Sequence, residues 1–329
     1  MKKNLFLHIG MFKTGTKTLQ RFLNENRELL KKYSFYVPGD ELNPHHVLPI
    51  SLIKKITGKT LNTNVEIKLT FEEYVDILKR QITKTECQNI ILSSESFCDF
   101  VHPDIRMYSK CIGKQIFEIF KEFNINIIIY LRKMDDYLLS FYKEILKYPS
   151  TDITYSEFID WSLNNDSFHI FPSIILDYYS EIFGRNSLIL KIYSRNTLYK
   201  KDIVADFLKT INCHYKNYDC SIDDNISLSN DEAFLKLIFN TTQNNNTELN
   251  DFINNFFIST RRVDITNDKV VNQKILNENI KLINEYGIDL PSVIPLFNPN
   301  INLDLSIKFI IFLLSTIIKQ NDQIIKLKN

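Results

Sequence analysis

A loop near the start of the sequence carries residues that could hold an anion. Gly10 and Gly15 have the separation found in the ATP-binding pattern G-x-x-x-x-G-K-[ST], but Thr16 intrudes before Lys17. A shift of one position along a helix changes the direction of a side chain by about 100° around the helix axis. Lys17 is therefore displaced from the position of the ATP-binding lysine. A second lysine, Lys13, lies inside the loop. The pattern predicts a strand, a glycine turn and a helix N-terminus whose N–H groups point at an anion.

Strands and helices alternate over the part of the chain that must position this loop. Short runs rich in Ile, Leu and aromatic residues predict strands at Leu5 to Ile9, Ile90 to Ser94, Ile125 to Leu131 and Ser187 to Tyr193. Helical spacing predicts helices at Thr18 to Lys32, Pro44 to Thr57, Phe71 to Thr85, Pro103 to Phe123, Met134 to Lys147 and Phe171 to Phe183. Buried strands separated by helices imply a parallel sheet with right-handed crossovers. From about Leu228 the sequence predicts only helices, joined by Asn-rich turns.

Composition limits the classes of protein that this chain can form. With 329 residues, 44% of them hydrophobic, the chain can bury a large core. The net charge of +1 gives no global field for nucleic acid or an anionic membrane. Five cysteines without a C-x-x-C pair indicate reduced thiols in a cytosolic protein. The apolar runs near both ends are too short for a signal peptide or a bilayer span, so we expect no transmembrane segment.

The stretch "KTGTKTLQ" after a strand resembles the 5'-phosphosulfate loop of sulfotransferases that use 3'-phosphoadenosine 5'-phosphosulfate (PAPS). Further stretches are similar to the bacterial carbohydrate-type branch of that family: "NRELLKKYSFYVPG", "ILSSESF", "YYSEIFGRNSLILKIYSRNTL" and "NISLSNDEAFLKLIFN". The likeness runs from about Leu5 to Asn240. It implies a P-loop-like three-layer α/β fold, with a central parallel sheet flanked by helices. We expect a PAPS-binding core at 1–245 and a helical C-terminal extension at 246–329.

The resemblance also implies where each end of PAPS binds. The 5' end would lie against the loop residues Lys13, Thr14, Gly15, Thr16, Lys17 and Thr18. The 3'-phosphate would be held by Arg132, at the end of a strand, and by Ser140, eight residues later in the next helix. This spacing has a physical reason, because a guanidinium can fork onto phosphate oxygens at the carboxyl edge of a parallel sheet while a hydroxyl adds one bond. No metal is required by this scheme.

Two groups compete for the role of general base toward an acceptor hydroxyl. Glu95 in "SSESF" follows a predicted core strand, and heparan-type members of the family use a glutamate. His45 and His46 in "NPHHVL" match a histidine pair in the bacterial branch, and neutral imidazole suits proton abstraction near pH 7. Lys13 is the predicted cation at the oxygen that bridges sulfur and the 5'-phosphate. The choice between Glu95 and the histidines stays open here.

The sequence departs from the family pattern at several positions. Lys17 stands where a hydroxyl residue is common, and Phe12 stands where a histidine is common. The R-K-G segment that cytosolic sulfotransferases place on the 3'-phosphate is missing, and Arg261 and Arg262 are candidates to replace it. The segment Asp304 to Leu327 has apolar residues at helical spacing, which favours packing or a homodimer seam over an interfacial membrane helix.

These observations predict a sulfotransferase that moves a sulfuryl group from PAPS to a hydroxyl of a bacterial glycan or glycolipid sugar. The expected location is the cytoplasm, including the inner face of the membrane, and no nucleic-acid partner is expected. One alternative is a P-loop nucleotide kinase, against which the displaced lysine and the Arg132/Ser140 pair argue. A second alternative is a catalytically silent nucleotide-binding scaffold.

Overall fold

A computed structural model describes residues 2–39, 42, 45–61, 68–148, 151–214, 228, 230, 232–234, 236, 237, 240, 269–290 and 294. The chain divides into two compact units. The first comprises Met1–Leu138, Trp161–Asn225 and Asn267–Ile294, and the second comprises Leu139–Asp160, Ile226–Thr266 and Pro295–Asn329. The predicted boundary between 245 and 246 falls outside the described residues and stays a prediction.

The first unit is built on a five-stranded parallel sheet, where the sequence predicts a parallel sheet and four of the five strands. The strands are β1 (Asn4–His8), β2 (Phe35–Tyr36), β3 (Asn89–Ser93), β4 (Asn124–Leu131) and β5 (Leu188–Ile192). Their order is β2-β3-β1-β4-β5, and every pairing is parallel. The four predicted strands match β1, β3, β4 and β5 to within one residue at each end. The predicted α/β class with a central parallel sheet is therefore confirmed.

The predicted helices are found with shifted ends, and two further helices, Tyr155–Asn164 and Ile203–Thr210, were not predicted. The α-helices in the described ranges are α1 (Thr16–Glu25), α2 (Arg27–Lys32), α3 (Val47–Thr57), α4 (Phe71–Lys84), α5 (Ser109–Phe120), α6 (Met134–Ile145), α7 (Tyr155–Asn164), α8 (Ser173–Phe183), α9 (Ile203–Thr210) and α10 (Lys269–Tyr286). Short 3₁₀ helices cover Glu95–Val101, Pro103–Tyr108, Arg185–Ser187 and Tyr199–Lys201. None of the helices in this part of the chain combines the length and apolar character needed to cross a membrane.

One predicted helix, Thr18 to Lys32, is wrong as a continuous element. It is divided between α1 and α2 at Asn26, whose φ of −110° and ψ of 21° are not helical. The Asn26 side chain donates from Nδ2 to the carbonyl of Phe22 at 2.9 Å. An asparagine side chain bonded to nearby backbone competes with helical bonding, which explains the break.

The core lies on both faces of the sheet. On one face, α1 and α9 pack over the sheet through Leu19, Phe22 and Phe207, against Ile128 and Tyr130. Side chains that alternate with these along the strands are also buried; they include Ile90, Leu92, Ile127 and Ile129. Successive residues of a strand point to opposite faces, so both faces of the sheet are covered.

Further contacts attach α10 to the first unit. The Glu278 carboxylate is buried and accepts hydrogen bonds from the Ser173 amide and hydroxyl, both at 2.7 Å. Tyr286 donates to Asp177 at 2.6 Å. The sequence stretch around "NENIKLINEYG" thus forms a helix bound to α8.

The second unit contains an aromatic pair between two helices. Within this unit, Tyr142 of α6 packs on Tyr155 of α7 with ring centroids 5.1 Å apart.

The parallel sheet fixes where functional residues gather. In a parallel sheet all carboxyl ends meet at one edge, where ligands bind in open α/β proteins. At this edge β1 leads into the loop after His8, and β3 leads into the 3₁₀ helix that starts at Glu95. Arg132 follows β4, and Tyr193 follows β5. The predicted loop residues, Glu95 and Arg132 therefore lie on neighbouring chain segments of the first unit.

Candidate active site

The loop after β1 is a tight turn with two residues in left-handed backbone conformation. Lys13 has a φ of 62° and Gly15 a φ of 75°. Gly15 is the N-cap of α1 and has no side chain to accept from the first-turn N–H groups. The Thr14 hydroxyl, which is fully buried, donates to the carbonyl of Met11 at 2.6 Å and holds the turn. Uncapped N–H groups at the start of a ten-residue helix form an anion-binding position.

Both glycines of this loop are required by close packing. A Cβ added at Gly10 would lie 2.8 Å from Nε2 of His8 and 2.9 Å from Cγ2 of Thr16. A Cβ at Gly15 would lie 3.3 Å from Tyr193 and Ile203, in a conformation that L-residues rarely adopt. The glycine spacing therefore reflects the packing of the loop on β1, β5 and α9.

Arg132 lies directly beside this loop. Its Nη1 donates to the main-chain carbonyl of Lys13 at 3.0 Å, and its guanidinium carbon lies 5.7 Å from the centroid of the Tyr193 ring. The side chain is half-buried, so part of it faces solvent at the sheet edge. The loop and Arg132, the two predicted anion-binding points of the first unit, thus lie side by side. The guanidinium places a positive charge at the left-handed turn.

Tyr193 is a residue of this edge that sequence reasoning missed. It follows β5, its amide donates to the carbonyl of Leu131 at 2.6 Å, and its ring packs against Gly15 and Arg132. The sequence offered one signal, since Tyr193 ends a predicted strand as Leu131 does, just before Arg132. Its proximity to the loop depends on the strand order, which the sequence does not give.

The other predicted loop residues differ in exposure. Thr16 is buried, Lys13 and Thr18 are half-buried, and Lys17 is exposed. The inserted Thr16 places Lys17 one position further along α1, and this exposure is consistent with the rotation expected from that shift. Of the two lysines, Lys13 is the one in the turn itself.

The 3₁₀ helix after β3 brings Glu95 to the same region. Cys98, on this helix, donates from Sγ to the carbonyls of Ile9 and Gly10 at 3.2 and 3.4 Å, which fixes the helix against the start of the loop. Glu95 is half-buried, and its Oε2 accepts a hydrogen bond from Nε2 of Gln20 at 2.7 Å. Gln20 lies on α1, the helix that begins at the loop. Gln20 is a second residue that the sequence analysis missed.

Two titratable groups share the electrostatic environment of Glu95. Burial lowers the pKa of His46, while the nearby Glu95 carboxylate raises it. Burial raises the pKa of Asp99 to about 8, and the charge of Glu95 adds to this effect. Glu95 therefore lies in a cluster with the partly buried imidazole of His46 and the buried carboxyl group of Asp99. With a pKa of about 8, the Asp99 carboxyl group is mostly protonated near neutral pH.

His45 is held as a structural cross-link. Its Nε2 donates to the carbonyl of Pro38 at 2.8 Å, and its Nδ1 accepts from the amide of Ser93 at 3.0 Å. These two bonds fix the tautomer and occupy both ring nitrogens. Burial lowers the pKa of His45 to about 4. Both ring nitrogens of His45 are engaged, so His46 is the member of the pair that stays a candidate for proton abstraction.

The remaining predicted site residues lie in the second unit or outside the described residues. Ser140 lies half-buried on α6, in the second unit, and its pairing with Arg132 stays a prediction. Arg261, Arg262 and the segment Asp304 to Leu327 lie outside the described residues. Within the described ranges, no three His, Cys, Asp or Glu side chains are grouped as metal ligands.

Comparisons with known proteins give one structural match. No protein-family model matches the chain, and neither does any curated protein sequence. A crystal structure of a sulfotransferase from Alicyclobacillus acidocaldarius is similar over 68% of this chain and 87% of its own, with 15% sequence identity and a TM-score of 0.44. At this identity and score the similarity assigns no activity and no residue to this chain.

Proposed function

We propose that this protein is a PAPS-dependent sulfotransferase that transfers a sulfuryl group to a hydroxyl, on a sugar of a bacterial glycan or glycolipid. One observation carries the proposal: Nη1 of Arg132 lies 3.0 Å from the Lys13 carbonyl. A cation, a glycine turn and an uncapped helix start therefore adjoin at one sheet edge. Such an arrangement suits a phosphorylated nucleotide. The resemblance of the loop, Arg132 and Ser140 to the PAPS-binding residues of sulfotransferases is what favours a nucleotide with phosphates on both its 5' and 3' oxygens.

The donor would be held by its two charged ends. The N–H groups at the start of α1 and the Lys13 ammonium would face the 5'-phosphosulfate, and the Arg132 guanidinium would face the 3'-phosphate, with Ser140 as its predicted second contact. Tyr193 offers an aromatic surface beside both. Lys13 would stabilise the charge that develops on the oxygen between sulfur and the 5'-phosphate as this bond breaks.

The acceptor hydroxyl would lose its proton to a base on the opposite side of the sulfur. The acceptor oxygen then forms a bond to sulfur as the bond between sulfur and the 5'-phosphate oxygen breaks, and adenosine 3',5'-bisphosphate leaves. Glu95 and His46 are the two candidates, because each is partly buried at the edge that carries the loop. We expect this chemistry in the cytoplasm or at the inner face of the membrane.

A test of the donor distinguishes this proposal from a nucleotide kinase. Adenosine 3',5'-bisphosphate at 100 times its Kd should stabilise the folded state by about 2.7 kcal/mol, without Mg²⁺. ATP should stabilise it much less, since Lys17 is exposed and displaced from the kinase position. Stabilisation by ATP with Mg²⁺, and none by adenosine 3',5'-bisphosphate, would favour the kinase.

A test of transfer separates an enzyme from a silent scaffold. Purified protein is incubated with PAPS labelled in its sulfate and with a panel of sugars, glycolipids and tyrosine peptides. The proposal expects label in a sugar-containing acceptor. Label confined to tyrosine peptides would overturn the acceptor class, and binding of adenosine 3',5'-bisphosphate without transfer to any acceptor or to water would favour the scaffold.

A further inference from the structure

Gln20 connects the donor loop to the candidate base through one rigid element. It lies four residues after Thr16, the first residue of α1, so the two side chains lie on one helix face about one turn apart. Its Nε2 donates to Oε2 of Glu95 at 2.7 Å, in a partly buried position. A contact of this length to a carboxylate is charge-assisted and stronger than a bond between neutral groups.

The partner side of this contact is also fixed to the loop. Glu95 begins the 3₁₀ helix that Cys98 joins to the carbonyls of Ile9 and Gly10. The Glu95 side chain is thus attached to the loop region twice, through its own helix and through Gln20. A carboxylate held in this way keeps a constant position relative to a group bound at the start of α1.

We infer that Gln20 is a positioning residue that holds Glu95 as the base for the acceptor hydroxyl. This inference rests on the proposed function. The Gln20 amide donates to Oε2 and leaves Oε1 for the acceptor. Because the amide is neutral, it orients the carboxylate without neutralising its charge, whereas a lysine or arginine would neutralise that charge. On this inference Glu95, and not His46, is the base of the reaction.

Several titratable or hydrogen-bonding groups lie near the Glu95 carboxylate. His46 at the start of α3, Cys98 and Asp99 on the same 3₁₀ helix, and Gln20 from α1 surround the carboxylate. Loss of the Gln20 amide removes a hydrogen bond to the charged form. A glutamate at the same position adds a like charge. Both changes raise the proton affinity of Glu95, the second more than the first.

The first experiment measures the contact without an acceptor. The carboxyl carbon of Glu95 is followed by ¹³C NMR across a pH titration of the full chain, assigned through Glu95→Gln, in a His46→Gln background that removes the neighbouring imidazole. Gln20→Glu should raise the pKa of Glu95 by about 1 unit or more, and Gln20→Ala by less. The matched control is Arg21→Ala, which removes an exposed ion pair to Glu25 on the same helix and should leave this pKa unchanged.

The second experiment measures the role in transfer from labelled PAPS, to the best acceptor of the panel or to water. Gln20→Ala should lower kcat by about 10-fold with little change in the KM for PAPS, because positioning and not donor binding is lost. Gln20→Glu, which is nearly isosteric, should move the acid limb of the kcat profile to higher pH. Glu95→Gln should lower kcat by about 100-fold, and His46→Gln by less than 10-fold.

The outcomes separate this inference from the proposed function. If adenosine 3',5'-bisphosphate does not bind, the proposed function fails, whatever the NMR titration gives. If it binds and PAPS is used, but the pKa of Glu95 and the pH profile are the same in the wild type and in Gln20→Glu, the positioning role is wrong. A larger loss of kcat in His46→Gln than in Glu95→Gln would also overturn it.

Discussion

Replacement of Arg132 by alanine is the perturbation that best separates a phosphate-binding role from a structural one. Arg132 donates to the Lys13 carbonyl, so it could serve the loop alone, or it could serve the loop and a 3'-phosphate. A hydrogen bond to a charged group contributes about 1.5–3 kcal/mol. Arg132 is half-buried, so we take about 2 kcal/mol for its contact with a phosphate, which corresponds to roughly 30-fold in Kd.

The assay is calorimetric titration with two ligands that differ in one group. Adenosine 3',5'-bisphosphate carries the 3'-phosphate, and adenosine 5'-monophosphate lacks it. The wild type should prefer the bisphosphate by roughly 30-fold, and Arg132→Ala should reduce that preference to a few-fold. Arg132→Lys, which keeps the charge but not the fork, should fall between them.

The refuting result is equal weakening of both ligands by Arg132→Ala. That result would mean that the guanidinium acts on the loop or on the 5' end, and that the 3'-phosphate lies elsewhere. Lys133→Ala is the control, because it removes an exposed positive charge one position along the chain. It should leave the preference for the bisphosphate unchanged.

Three further predictions concern two loop residues and the buried His45. Lys13→Ala should lower kcat for sulfate transfer by about 100-fold while the Kd of adenosine 3',5'-bisphosphate rises less than 10-fold; unchanged kcat would contradict the role of this lysine. Gly10→Ala should reduce the free energy of unfolding by about 1–3 kcal/mol in urea titrations, because its Cβ would meet His8 and Thr16, and a wild-type value would remove that argument. His45 has a folded-state pKa of about 4, below its ordinary 6.5, so its contribution to stability is complete above pH 6.5 and is lost as pH falls toward 4. Urea titrations of His45→Gln should show a weaker pH dependence over this interval than the wild type, and an identical dependence would count against the buried, neutral His45.

Much of the fold could be predicted because the strands are buried on both faces. Continuous apolar runs such as Ile125 to Leu131 identify such strands, and the observed β4 differs from that prediction by one residue. Helix ends were less accurate. The sequence predicts the first helix at Thr18, but it begins at Thr16, because Gly15 takes the left-handed N-cap conformation. The helices α7 and α9 were not predicted, and the two-residue β2 is too short to give a pattern.

The site was predictable where neighbouring residues in the chain define it. The loop from Gly10 to Gly15 has a local signature, and Arg132 follows a recognisable strand. Gln20 was missed because its contact with Glu95 joins residues that are 75 positions apart in the chain. Tyr193 was missed because its contact with Arg132 depends on the order of the strands in the sheet. Likewise, the sequence presents His45 and His46 as equals, and only the bonds to Pro38 and Ser93 distinguish them.

The most direct test of the donor site is a crystal structure with adenosine 3',5'-bisphosphate bound. We expect the 5'-phosphate at the N–H groups that follow Gly15, and the 3'-phosphate within hydrogen-bonding distance of Arg132. A bisphosphate bound in the reverse direction, or away from both the loop and Arg132, would contradict it.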